Sequence, residues 1–236
     1  MAQMVVAKLL IVKTGDAIGP VIAHQGDFDR LFTRPLDGLP VEAITVPVHM
    51  GAGPLPDPST IDGAIITGSR HSVTEREPWA DALAAWVRSA HQAALPILGV
   101  CYGHQLLAHA LGGRVTRNPS GYEIGTVRID LTEAGLADPL LGALAPGERS
   151  LRFNAIHEDA VAELPEGATV LATNAATAVQ AFAVGPNILA VQFHPEFDEG
   201  VMRLYLVHAE AQAELQATPL GPALIRRFVE RFIQKD

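Results

Sequence analysis

Cysteine is almost absent: Cys101 is the only one among 236 residues. That excludes an internal disulfide and a zinc site built from thiolates. Charge is also scarce, at 18% of residues, and basic residues are the rarer sign, 17 against 26 acidic, for a net charge of −9. Such a chain has no wide cationic face to neutralise phosphates, so nucleic acid is not an expected partner. Neither G-x-x-x-x-G-K-[S/T] nor G-x-G-x-x-G occurs, so the chain carries no ATP or dinucleotide site of its own. The opening MAQMVVAKLLIVKTG is broken by Lys8 and Lys13 and lacks a small-residue cleavage site, so it reads as a first strand and not as a targeting segment. Ser89–Gly113 holds no Asp, Glu, Lys or Arg over 25 residues. Its Pro96, His91, His104, Gln105 and His109 fit a buried strand, turn and helix better than a membrane span. A cytoplasmic protein without membrane contact is the expectation.

Hydrophobic residues make up 48% of the chain, enough for a substantial core. Short apolar runs alternate with amphipathic stretches. Strands are expected at Val5–Val12, Val41–Val46, Gly63–Thr67 and Pro96–Val100, and helices at Pro20–Phe32, Pro78–Ala93 and Gly103–Leu111. This alternation implies parallel βαβ units. Further on, Gly125–Leu131, Ser150–Phe153, Thr169–Thr173, Val179–Val184 and Ile188–Phe193 are short runs separated by turns, which suggest antiparallel or mixed strands at one sheet edge. Helices are expected again at Glu199–Gln216 and Pro222–Gln234. The fold class is therefore α/β: a three-layer, mainly parallel central sheet with helices on both faces and a small antiparallel edge. A single domain, 1–236, is the economical division, with C-terminal helices over 199–236 that cover a sheet edge or form a subunit contact.

Chemistry concentrates at Pro96–Gly113, PILGVCYGHQLLAHALGG. Cys101 sits where a buried strand meets a helix, framed by Gly99 and Gly103. A sharp strand-to-helix turn crowds its flanks, so small residues two before and two after relieve the clash. The turn lifts the sulfur out of the sheet, and the helix N-terminus favours the thiolate, the reactive form. A thiolate nucleophile needs a base, and His194 in AVQFHPEF is the candidate. In an extended segment residues i and i+2 share a side, which would place Glu196 beside the His194 ring, where it would orient and stabilise the imidazolium. Acyl transfer needs an oxyanion hole. The N–H of Tyr102 and the loop Gly68-Ser69-Arg70 are its candidate donors.

GVCYGHQ followed far downstream by HPE resembles the class I glutamine amidotransferases, the Cys-His-Glu glutaminase domains, over roughly Val5 to Phe197. Weaker likenesses are TGSRHSV (Thr67–Val73) to the oxyanion-loop motif, GYEIG (Gly121–Gly125) to a segment after the elbow helix, and His157-Glu158-Asp159-Ala160-Val161 to an H-x-D-x-V motif. The resemblance implies a flavodoxin-like fold. It implies that Cys101 attacks the side-chain amide of glutamine to give a γ-glutamyl thioester, with His194 as acid and base and Glu196 orienting it. It further implies oxyanion N–H groups from Ser69 and Tyr102, substrate contacts from Gly68 and Gln105, and an approach of Ile156 and His157 to the substrate's α-carboxylate. No cofactor and no metal are implied.

Two departures stand out: Gly68-Ser69-Arg70 where the family often has Gly-Gly-Pro, and Ile156 where it often has Ser before the motif histidine. Both lean towards stand-alone members similar to γ-glutamyl peptidases or to synthase-like amidotransferases. Two outcomes for the leaving group follow. The ammonia passes to a separate synthetase, or water is the final acceptor and the chain is a free-standing γ-glutamyl hydrolase. A reading from another class is a non-catalytic binding module on the same fold, which would not require Cys101, His194 and Glu196 together. The remaining histidines, His71 and His104 among them, show no carboxylate or cysteine pattern and read as structural.

Overall fold

The computed structural model describes residues 6–75 and 77–232. The start of the first expected strand at Val5 and the end of the last expected helix at Ile233 and Gln234 lie outside the described residues. Strands form at β1 (Ala7–Lys13), β2 (Val41–Pro47), β3 (Gly63–Ile66), β4 (Ile97–Val100), β5 (Arg114–Arg117), β6 (Glu123–Leu131), β7 (Ser150–His157), β8 (Asp159–Glu163), β9 (Ala168–Thr173), β10 (Ala181–Val184) and β11 (Ile188–Val191). Helices are α1 (Gly19–Gln25), α2 (Phe28–Thr33), α3 (Pro78–Gln92), α4 (Tyr102–Ala110), α5 (Glu133–Ala137), α6 (Glu199–His208) and α7 (Leu220–Phe232).

The apolar strand runs are continuous because both faces of the sheet are covered. In β1, Leu9 and Ile11 point into one core with Val21 of α1, Phe28, Leu31 and Phe32 of α2 and Phe228 of α7. Leu10 and Val12 point the other way, into a core with Leu83 and Val87 of α3 and Leu106 and Leu107 of α4. One nine-stranded sheet results, in the order β2-β1-β3-β4-β11-β10-β9-β6-β7. Its first five strands are parallel. From β11 outward the pairing is antiparallel. β5 and β8 form a separate antiparallel ribbon.

Three local readings change. The expected helix Pro20–Phe32 is two helices, because Gly26 takes φ +91° and Asp27 caps the second, accepting from Phe28 N at 2.8 Å. The helix beginning at Glu199 ends at His208 and not at Gln216, since Glu210 turns to φ +51°. The chain then pairs with β6, Glu214 accepting from Thr126 N at 3.0 Å. β5, β8 and α5 have no counterpart among the expected elements; α5 is only five residues long and is set by Thr132, whose Oγ1 accepts from Gly135 N.

In a parallel sheet of this kind ligands bind beyond the carboxyl ends of the strands. Here the carboxyl ends of β1, β3, β4 and β11 converge on Thr14, Gly68, Cys101 and His194.

Candidate active site

Cys101 is the N-cap of α4 and holds φ +51°, ψ −99°. For a residue with a Cβ this backbone costs on the order of 1–3 kcal/mol, so the surroundings must over-determine it. They do so through the two framing glycines. A Cβ on Gly99 would lie 2.4 Å from Leu107 Cδ1 and 2.7 Å from the Gly103 carbonyl oxygen. One on Gly103 would lie 2.3 Å from the Ile66 carbonyl oxygen. Strand β4, helix α4 and the end of β3 therefore approach at backbone distance, in keeping with the glycine spacing. Cys101 N donates to Val191 O at 2.9 Å, tying the turn to β11. Its sulfur lies 3.7 Å from the Ile156 carbonyl oxygen. Tyr102, first residue of the helix, is among those whose N–H has no intrahelical acceptor, while its side chain is buried in the opposite core.

His194 arrives just beyond β11. Its N–H donates to Asn154 O at 2.7 Å, a bridge that fixes the chain against β7. Glu196 then meets the ring by a route other than the extended one expected. His194-Pro195-Glu196-Phe197 is a turn, closed by Phe197 N donating to His194 O at 3.3 Å. Proline suits the second position of such a turn, which swings the carboxylate back over the imidazole. Glu196 Oε1 is 2.7 Å from His194 Nδ1, with both side chains buried. Burial alone would lower the imidazole's pKa. The Glu196 carboxylate and the Cys101 sulfur outweigh it and push His194 up to about 10. Nε2 remains without a hydrogen-bond partner among the described residues. The ring lies flat on Phe197, 4.2 Å between centroids.

Gly68 separates the two groups. A Cβ there would stand 2.8 Å from His194 Cε1 and 3.7 Å from Cys101 Cβ, so only glycine lets the loop slip between them. The loop is clamped to the end of β1: Thr14 N donates to Thr67 Oγ1 at 3.1 Å, and Ser69 Oγ donates to Thr14 O at 2.8 Å. Ser69, Cys101, Gln105, Ile156, His157 and His194 all line one cavity of about 300 Å³. That is the low end of the range of roughly 300–1,000 Å³ that small-molecule sites span.

Two of these residues are more engaged with the protein than expected. Gln105 Nε2 donates to Asp159 O at 3.0 Å and Gln192 Oε1 at 3.1 Å, which uses both amide hydrogens. His157 has both ring nitrogens occupied, by Asp159 O at 2.9 Å and Glu123 Oε2 at 2.7 Å. Glu123 in turn accepts from Asn174 and Gln180, each at 2.7 Å. Burial works against its charge, but the bonds from His157, Asn174 and Gln180 hold its carboxyl below the usual range. A buried polar layer thus braces β6, β7 and β11 behind the cavity. Of its members sequence reasoning missed Glu123, although the GYEIG segment contains it. It also missed Asn154, whose side chain accepts from Thr126 Oγ1 at 2.8 Å and donates to Phe197 O at 2.9 Å. His104 lies behind this layer; burial, reinforced by His157, lowers its pKa to about 3 and keeps it neutral. His71, without carboxylates in its sequence pattern, stands with Glu75 and Glu77, their polar atoms within 4.8 Å of one another on the exposed rim.

A sulfur at a strained helix N-cap, a carboxylate-paired imidazole and a glycine loop between them form a set suited to acyl transfer. The profile of the family described as Glutamine amidotransferase class-I matches residues 29–211. The chain belongs to the class-I glutamine amidotransferase family. Among curated relatives, gamma-glutamyl peptidase 4 of Arabidopsis thaliana is 33% identical over 60% of this chain and 56% of its own length. A glutamine-hydrolysing GMP synthase subunit of Saccharolobus solfataricus is 32% identical over 75% of this chain and 87% of its own. The chain spans little more than half the length of several of the relatives it matches. A glutamine amidotransferase from Thermotoga maritima superposes with a TM-score of 0.76 at 18% identity, covering 98% of this chain and 100% of that one. This places the fold in the same class as that of solved amidotransferases. Among the described residues no helix is long and apolar enough to cross a membrane.

Proposed function

We propose that the chain hydrolyses a γ-glutamyl amide, glutamine being the simplest, through a thioester on Cys101. The observation that carries this is the buried 2.7 Å contact of Glu196 with His194 Nδ1, which leaves Nε2 unpartnered beside the Cys101 elbow. An imidazole held by a carboxylate at one nitrogen presents the other for proton transfer.

In the first step Cys101 Sγ attacks the amide carbon, and the carbonyl oxygen takes the negative charge. The N–H groups of Tyr102 and Ser69 are the donors for that oxygen. The C–N bond breaks as His194 Nε2 gives a proton to the departing nitrogen. Water then enters, His194 removes its proton, and the thioester collapses to glutamate with the proton returned to the sulfur. Glu196 holds the tautomer throughout and stays ionised. With glutamine as substrate the nitrogen leaves as ammonia, for which a separate synthetase is the acceptor, as the name of the archaeal relative suggests for that protein. The test is ammonia release from glutamine by the purified chain and by Cys101→Ala, with mass spectrometry of the acylated protein. The expected result is loss of both turnover and a trappable adduct in Cys101→Ala; turnover that survives the substitution overturns the proposal.

A further inference from the structure

The cavity holds two arginines, and their circumstances differ. Arg117 is neutralised: it is paired with Glu158, and its guanidinium lies 3.7 Å from Asp159. Arg70 makes no ion pair among the described residues and stands exposed at the cavity mouth. Its backbone is nonetheless held on both sides, because Ser69 Oγ donates to Thr14 O at 2.8 Å and accepts from His71 N at 3.1 Å. An unpaired guanidinium on an anchored loop beside a substrate cavity is a receptor for a carboxylate.

The wall next to it has a direction. It begins at the His194 ring, continues through Phe197 at 4.2 Å, and reaches Tyr205 of α6 at 4.9 Å from Phe197. Phe28 flanks Phe197 at 6.2 Å, and Ile18 completes the apolar surface. Arg70 and Tyr205 line the same cavity. The cavity is also lined by the polar groups of Tyr122, Glu158 and Asp159.

The reaction gives these two sides different occupants. His194 protonates the departing nitrogen, so that nitrogen sits on the histidine side of the sulfur. Whatever is attached to it extends along the His194–Phe197–Tyr205 wall. Ammonia has nothing to lay there. We infer that the wall and Arg70 form a leaving-group subsite, which takes an α-amino acid or short peptide with an apolar side chain and pairs its free carboxylate with the Arg70 guanidinium. This rests on the Cys101 thioester reading and deepens it. The atoms balance as before: the γ-glutamyl C–N bond breaks, His194 supplies the proton, the leaving group departs as a free α-amine, and water regenerates the sulfur.

The test compares kcat/KM for γ-glutamyl-phenylalanine, its C-terminal amide and glutamine, in wild type, Arg70→Gln, Arg70→Glu and Arg70→Lys. Wild type is expected to favour the acid over its amide by about tenfold or more, a typical yield for a well-placed charge pair. Arg70→Gln should bring that ratio towards one, Arg70→Glu should invert it, and Arg70→Lys should restore part of it. A ratio near one in wild type, or one that Arg70→Glu leaves unchanged, overturns the subsite while leaving glutamine turnover as separate support for Cys101. If wild type turns over none of the three, the thioester reading fails as well.

Discussion

Glu196→Gln isolates the interaction on which the proposed chemistry rests. His194 moves from an ordinary pKa of 6.5 to about 10. At about 1.36 kcal/mol per pH unit, that is about 5 kcal/mol in favour of the imidazolium. The largest single influence on the ring is burial, and it acts in the other direction. The charge of Glu196 at 2.7 Å therefore offsets the whole burial penalty and more, with help from the Cys101 sulfur. The cleanest measurement uses a Cys101→Ala background, where the sulfur no longer contributes and no thiol titrates. Histidine labelled with carbon-13 is followed by NMR between pH 4 and 11. Replacing Glu196 by Gln is expected to lower the His194 midpoint by about two pH units or more, to below 6.5, because burial then acts unopposed. A change of less than one unit would mean that the carboxylate does not govern the ring, and the assignment of Glu196 as its orienting partner would be wrong.

The same pair makes a stability statement whose sign is fixed. The folded pKa of His194 lies above its unfolded value. Its contribution is therefore complete below about pH 6.5 and is lost as pH rises through about 10, with a slope of at most about 1.4 kcal/mol per pH unit. Urea unfolding between pH 6 and 10 should show that slope in Cys101→Ala and a flatter one after Glu196→Gln. With Cys101 intact, Glu196→Gln should lower kcat by about 10³–10⁴, the scale on which an orienting carboxylate acts in hydrolytic triads.

Gly103→Ala would place a Cβ 2.3 Å from the Ile66 carbonyl oxygen, which is backbone and cannot move aside; a loss of about 3 kcal/mol and a fall in Tm of about 6–12 °C are expected by calorimetry, and an unchanged Tm would contradict the close approach. Asn154→Ala removes the 2.9 Å donor to the Phe197 carbonyl and the 2.8 Å acceptor of the Thr126 hydroxyl, leaving that hydroxyl only the longer bond to Gln216 O at 3.4 Å. It should cost about 2–4 kcal/mol in urea unfolding, with kcat falling more than KM rises because the His194 segment loosens. For Glu123→Gln the sign runs opposite to that of His194: a carboxyl held below its ordinary 4.5 contributes stability that is present above that pH and is lost as pH falls through the lower folded value. Wild type should therefore lose stability on acidification more steeply than Glu123→Gln, and equal acid slopes would show that the buried carboxylate is not ionised.

The parts of the structure legible in the sequence are those that rest on short-range rules. Gly99 and Gly103 around Cys101 announce a crowded strand-to-helix turn, because the clash they relieve is local and steric. The uninterrupted apolar run of β1 announces a strand covered on both faces, since Leu9 and Leu10 must both find a core. A local rule carried one step too far fails instructively. Pro195 restricts the residue before it, which favours an extended His194, and that residue is indeed in a strand bridge. But the same proline also suits the second position of a turn, and the turn is what delivers Glu196 to the ring.

The rest was hidden because it depends on partners distant in the chain. Glu123 looks like a solvated strand residue until His157, Asn174 and Gln180 surround it. Asn154 carries no motif, yet its carbonyl and its amide hold both ends of the His194–Phe197 turn. The framing glycines accommodate the strained Cys101 and Glu196 offsets the burial of the imidazole, while Asn154 ties the His194 segment to β7. Every ångström of slack in β7 or β11 would move His194 relative to a sulfur that α4 holds from the other side. The motif residues carry the atoms that the proposed reaction uses, and the His194 segment among them is tied to β7 by Asn154, which no motif includes. Substitutions at Asn154 and Glu123 should accordingly separate the two contributions, altering the geometry of the site while leaving every reactive atom in the chain.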